Sequence, residues 1–96
     1  MYKAKFEMDS WLGLQTFEFS GERLSEIVDK LNRIQDLGCL VRMGRQQGVK
    51  MDYPALNTLE AFLNKYYDGE LTVDDFKTFD IELSIGGIKC ISITEE

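Results

Sequence analysis

The spacing of apolar residues changes partway along this chain, and that change restricts its fold more than any other feature. Tyr2, Ala4, Phe6 and Met8 alternate with Lys3, Lys5 and Glu7. This is the period of a half-buried strand, whose side chains point to opposite faces in turn. Further on the spacing lengthens. Leu24, Ile27, Val28, Leu31, Ile34 and Leu37 fall on one stripe of a helix. A strand with one apolar face and a helix with one apolar stripe must cover each other, because neither surface is stable in water.

The remaining punctuation divides the chain into short elements. Asp9, Ser10 and Gly13 carry turn chemistry, and residues 14–19 are aromatic and β-branched, as in a returning strand. Trp11 and Leu12 lie near the tip of that hairpin. Ser20 has the chemistry of a helix N-cap, and Gly38 that of a left-handed C-cap. Glu26 with Lys30, and Asp29 with Arg33, are four-apart pairs in the favourable order. Residues 39–43, apolar apart from Arg42, read as a third strand, and Gly44 and Gly48 bracket a loop. A second helix begins near Pro54, or at Asn57, which has a capping-box spacing to Glu60. Its apolar face is Leu56, Leu59, Phe62, Leu63 and Tyr66, and Gly69 ends it. Thr72 followed by Asp74 and Asp75 reads as the cap and acidic first turn of a short third helix ending near Thr78.

The C-terminal segment reads as a hairpin. Ile81, Leu83 and Ile85 alternate with polar residues, Gly86-Gly87 turns the chain, and residues 88–94 return. Pairing Leu83 with Ile91 and Ile81 with Ile93 gathers more apolar area on one face than pairing Ile81 with Ser92, and is the preferred register. The expected architecture is α+β: an antiparallel sheet of about five strands, in the order β-β-α-β-α-β-β, with two main helices packed on one face. Residues 1–96 form one compact domain in this reading, with Phe6, Leu24, Ile27, Val28, Leu31, Leu59, Leu63, Leu83 and Ile91 buried.

Composition excludes several chemistries. The 96 residues include no histidine and two cysteines. A Ser-His-Asp triad, a Cys-His pair, an imidazole metal ligand and a Cys₄ zinc site are therefore ruled out. Cys39 and Cys90 have no C-x-x-C spacing and fall on expected strands, where buried unreactive thiols are common. No basic segment followed by an apolar run opens the chain, and no apolar stretch reaches membrane-spanning length, so a cytoplasmic protein with reduced thiols is expected. One partial metal motif exists. Asp68, Gly69, Leu71, Thr72 and Asp75 match late positions of a calcium-binding loop, but Asn64 and Tyr66 stand where charged ligands are needed. No metal or other cofactor is expected.

Charge is the strongest functional signal. Residues 1–50 hold eight basic and seven acidic side chains, whereas residues 51–96 hold three and ten. Asp68, Glu70, Asp74, Asp75, Asp80 and Glu82 are accompanied only by Lys77 in their stretch. Such a surface repels nucleic acid and anionic membranes and steers toward basic partners. These six acids, with Trp11, are the candidate partner-binding residues. Trp11 joins them because tryptophan is enriched at interface hot spots. A secondary candidate is the basic, amide-rich stretch of Arg42, Arg45, Gln46, Gln47 and Lys50, suited to an anionic ligand or a partner contact.

The expectation is a small, acidic, non-enzymatic binding protein. Its charge suits an inhibitor or immunity-type protein that occupies the basic surface of a nucleic-acid-handling enzyme. It would bind a protein, with no direct contact to nucleic acid or membrane. Two alternatives are a structural protein that homodimerises through sheet edges and a small anionic-ligand module using residues 42–50. A monomer is favoured over the homodimer, on the reading that Lys3, Lys5, Glu7, Glu95 and Glu96 blunt the first and last strands as sheet edges.

Overall fold

The computed structural model describes residues 1–10, 13–46, 53–83 and 86–96. Eight elements follow one another: β1 (Tyr2–Ser10), β2 (Gly13–Gly21), α1 (Leu24–Ile34), α2 (Leu37–Gln46), α3 (Tyr53–Asp68), α4 (Val73–Lys77), β3 (Asp80–Leu83) and β4 (Gly86–Glu95). The four strands form one antiparallel sheet in the order β2-β1-β4-β3. The class is α+β as expected, with four strands rather than five. The helices carry the chain from the β2 edge to the β3 edge, and β4 then returns between β3 and β1. The chain ends meet, since the Met1 ammonium donates to the Glu96 carbonyl at 2.9 Å and the Glu96 N–H to the Met1 carbonyl at 2.8 Å. Among the described residues, no helix is long and apolar enough to cross a membrane.

The expected strand over residues 39–43 is instead part of α2. The Asp36 carboxylate accepts the Cys39 N–H at 3.1 Å, and Asn32 accepts the Leu37 N–H, also at 3.1 Å. Asp36 thus starts a new helix two residues after α1 ends, and Gly38 lies inside that helix rather than terminating the one before. Leu37 and Leu40, three apart, are both buried. A short apolar run fits a strand or a helix equally well, and here the cap decides. Ser20 likewise lies within β2. The N-cap of α1 is Arg23, and Glu26 reaches back to accept the Glu22 N–H at 3.0 Å.

The core lies between the helices and one face of the sheet. It joins Ala4 and Phe6 of β1, Ile27, Val28 and Leu31 of α1, Leu59, Phe62 and Leu63 of α3, Phe76 of α4, Phe79, Ile81 of β3, and Ile88 and Cys90 of β4. Leu24 packs against it but is only partly buried.

The preferred register of the last hairpin is overturned. Ile81 pairs with Ile88 and Leu83 with Gly86, so Gly86 and Gly87 open β4 and do not form the turn. A β-bulge against β1 sets the place of Ile91. Lys5 faces Ser92 and Phe6 faces Cys90, which leaves Ile91 without a partner on β1. The extra residue switches the inward set from Ile88 and Cys90 to Ile93, and Ile91 is left 44% exposed. The Leu83 side chain and Ile85 lie outside the described residues.

Leu31→Ala is expected to lower unfolding free energy by about 2–5 kcal/mol, as a fully buried leucine does. Ile91→Ala should stay within about 0.5 kcal/mol of wild type. Urea denaturation midpoints check both, and equal losses at the two positions would contradict the bulged register.

Candidate functional site

The acidic stretch is built around the junction of α3 and α4. Helix α3 closes in a Schellman motif. Gly69 adopts φ +72°, its N–H reaches the Tyr66 carbonyl at 3.3 Å, and the Glu70 N–H reaches the Lys65 carbonyl at 2.9 Å. Glycine takes this left-handed conformation without a side-chain penalty. Three residues later Thr72 caps α4. The Asp75 N–H donates to the Thr72 hydroxyl oxygen at 3.4 Å, and the Asp75 carboxylate accepts the Thr72 N–H at 2.8 Å. Lys65 then clamps the two helices, its ammonium donating to Asp75 at 2.8 Å.

Electrostatics at Asp75 follow from these contacts. Burial alone would raise its carboxyl, but the Lys65 ammonium and the Thr72 donors outweigh burial and hold it below the usual carboxylate range. The Lys65 ammonium is held above its ordinary value by its hydrogen bond and charge pairing with Asp75.

The structure thereby sorts the six candidate acids. Asp75 has a structural task. Asp80 stands opposite Lys89 in the β3–β4 ladder, a cross-strand pairing that favours both charges. Asp68, Glu70, Asp74 and Glu82 are exposed and make no ion pair among the described residues. Asp68 and Glu70 sit at the C-terminus of α3, where the helix dipole disfavours negative charge. The six do not share one face. Asp68, Glu70 and Asp74 flank the α3–α4 turn on the helical side. Asp80 and Glu82 alternate with buried Ile81 and so project from the opposite face of the sheet.

Beside the turn lies a groove of about 220 Å³. Its lining comprises Thr58, Ala61, Phe62 and Lys65 of α3, Asp75 and Thr78 of α4, and Phe79. Phe62 and Phe79 supply buried aromatic surface, with ring centroids 4.7 Å apart, and the Lys65–Asp75 pair contributes the charge. Drug-sized ligand pockets begin near about 300 Å³, so this groove suits a single side chain rather than a cofactor. The sequence reading missed Lys65 and the groove, because Lys65 and Asp75 are ten positions apart and meet only across the turn.

Of the secondary candidates, Arg42 and Arg45 stand three residues apart on α2. Arg42 is exposed on α2. Arg45 pairs with Glu60 of α3, its Nε donating at 3.0 Å, and so links the two helices. Trp11, Gln47 and Lys50 lie outside the described residues. Of the adjacent tyrosines, Tyr66 donates its hydroxyl to Asp29, while Tyr67 is 69% exposed. The hydrogen bond to Asp29, with burial, pushes the Tyr66 phenol up to about 12. Cys90 is buried, which pushes its thiol up to about 11, and Cys39 is half-buried on α2 rather than on a strand. The calcium-loop geometry is not formed. Residues 64–68 are the last turns of α3, and Asp75 is engaged by Thr72 and Lys65. Among the described residues, no group of three or more His, Cys, Asp or Glu side chains is placed to hold a metal ion.

No family model matches the chain, and neither does any curated protein or solved structure.

Asp75→Ala should cost about 1–2 kcal/mol, by removing the carboxylate half of the capping box and the pair with Lys65, while its own N–H still reaches Thr72. Asp74→Ala should be nearly neutral. Because the folded-state carboxyl of Asp75 titrates below its unfolded value, its contribution is complete at neutral pH. That contribution should disappear as pH falls below about 4. Urea midpoints of wild type and Asp75→Ala at pH 7 and pH 3 check this, and the gap should narrow at the lower pH.

Proposed function

We propose that this is a non-enzymatic binding protein that docks its acidic α3–α4 end on a basic surface of another protein. The observation that carries the reading is the division among the acids. Asp75 alone satisfies the local structural need, whereas Asp68, Glu70 and Asp74 are exposed, without ion pairs among the described residues, and clustered at one turn. Exposed carboxylates clustered at a turn attract a cationic surface over several ångströms and raise the association rate. The neighbouring groove, floored by the buried rings of Phe62 and Phe79, offers a shallow apolar seat to the aliphatic stem of an arginine or lysine, whose charge would then face the acids. Surfaces that bind phosphate backbones are the strongly basic partners such an end fits. The specific reading is therefore an inhibitor or immunity-type protein occupying the basic groove of a nucleic-acid-handling enzyme.

The test is capture of the partner from the native host, followed by association kinetics at low and moderate salt. Reversing Asp68 and Glu70 to lysine should slow association about tenfold at low salt and flatten its salt dependence. The fold should be unchanged or slightly more stable, because lysine suits a helix C-terminus. An unchanged rate and a flat salt response in wild type would overturn the electrostatic reading.

A further inference from the structure

We propose that two copies of this chain pair antiparallel through the outer edge of β2, about a two-fold axis at Phe17, and so join their sheets into one. The first and last strands, expected to be the edges, are central. The true edges are β2 and β3, so Lys3, Lys5, Glu7, Glu95 and Glu96 do not blunt them.

The two edges differ in their protection. Strand β3 has four residues, two of them the acids Asp80 and Glu82. Short length and charge are the usual defences of an edge, and two copies meeting there would oppose like charges. Strand β2 has nine residues, with no proline and no lysine, and its pairing with β1 is free of bulges. Its one charged side chain, Glu18, lies 3.8 Å from Lys3. Among the described residues no strand pairs with its outer side. Lys30 covers only the Ser20 carbonyl at one end. A long, bulge-free edge with a single charge is a template for another extended strand.

Symmetry and charge select a second copy as that strand. With the axis at Phe17, Thr16 faces Glu18 of the partner subunit, Gln15 faces Phe19 of the partner subunit, and the two Phe17 rings meet. No like charges oppose. Phe17 is only half-buried and stacks on Phe19 with centroids 6.3 Å apart, so the pairing covers aromatic surface now at the rim. The β2 edge is also the edge farthest from β3 and Glu82, so the acidic edges of the two copies end up farthest apart. An isologous contact of this kind closes on itself and does not propagate. The proposal does not rest on the acidic reading, since the α3–α4 turn stays free in the dimer.

Sedimentation equilibrium of the full chain, from about 5 to about 500 µM, tests it. The mass should rise from 11.1 kDa toward twice that value with concentration. Thr16 is exposed, and its variants read the register with little effect on the fold. Thr16→Lys places two lysines opposite two Glu18 side chains and should tighten the dimer about three- to tenfold. Thr16→Glu should loosen it by a similar factor, and Phe17→Lys should abolish it. Thr16 stands opposite Glu7 of its own β1, so urea midpoints at low concentration should rise slightly for Thr16→Lys and fall slightly for Thr16→Glu. A monomer at every concentration overturns the proposal. So does a dimer indifferent to charge at position 16, or one weakened by both Thr16 substitutions.

Discussion

The ring of Phe6 is the contact on which the other elements depend. It is fully buried in the middle of a central strand. It meets Phe76 and Phe79 edge-on, with centroids 6.3 and 5.9 Å away, and Phe62 meets the same two rings at 5.3 and 4.7 Å. Three of these pairs are edge-to-face and Phe62–Phe79 is tilted, and such aromatic pairs add stabilisation beyond area burial. They also tie β1, α3, α4 and the entry to β3 into one unit. Helix α4 has five residues and would not persist alone. Phe76 anchors it from below, and the Thr72–Asp75 capping box closes its start. The orientation of the acidic turn is therefore a consequence of aromatic packing on the sheet.

That arrangement explains how a chain of net charge −6 keeps a stable acidic end. The one acid that must be fixed, Asp75, is neutralised by Lys65 and by Thr72 donors. The remaining acids point into water, where their mutual repulsion is screened. Exposure makes them cheap to keep and leaves them available to a cationic partner. Asp80 and Glu82 leave the sheet on its other face, so the acidic stretch of the sequence becomes two surfaces rather than one.

The strand order decides what the edges offer. Because β4 inserts between β1 and β3, the alternating, lysine-bearing β1 is interior, and its charges are spread over the helix-free face of the sheet. The edges pass to β2 and β3, which differ in length and in charge. The bulge at Ile91 lets a ten-residue strand keep apolar residues inward on both sides of the shift, with Cys90 before it and Ile93 after it.

Local chemistry by itself determined much of this protein. Alternation in residues 2–8 and the aromatic and β-branched content of residues 14–19 specified the first hairpin. The stripe from Ile27 to Leu31 specified α1, and Gly69 and the Thr72–Asp75 spacing marked the end of α3 and the cap of α4. Each of these signals acts within about four residues, the range over which backbone hydrogen bonds and neighbouring side chains choose a conformation. The acidic stretch was likewise legible as charge. Tertiary structure decided what local pattern left ambiguous. Residues 39–43 fit a strand or a helix until the Asp36 cap and the packing of Leu37 and Leu40 chose the helix. The last hairpin admitted several registers, and the outward position of Ile91 depends on a bulge in the pairing of β4 with β1, which no local pattern marks. The clamp from Lys65 to Asp75, the groove beside it and the separation of the acids onto two faces all join residues distant in the chain. Their contacts exist only once the sheet and helices are packed, because no local rule relates positions ten or more residues apart.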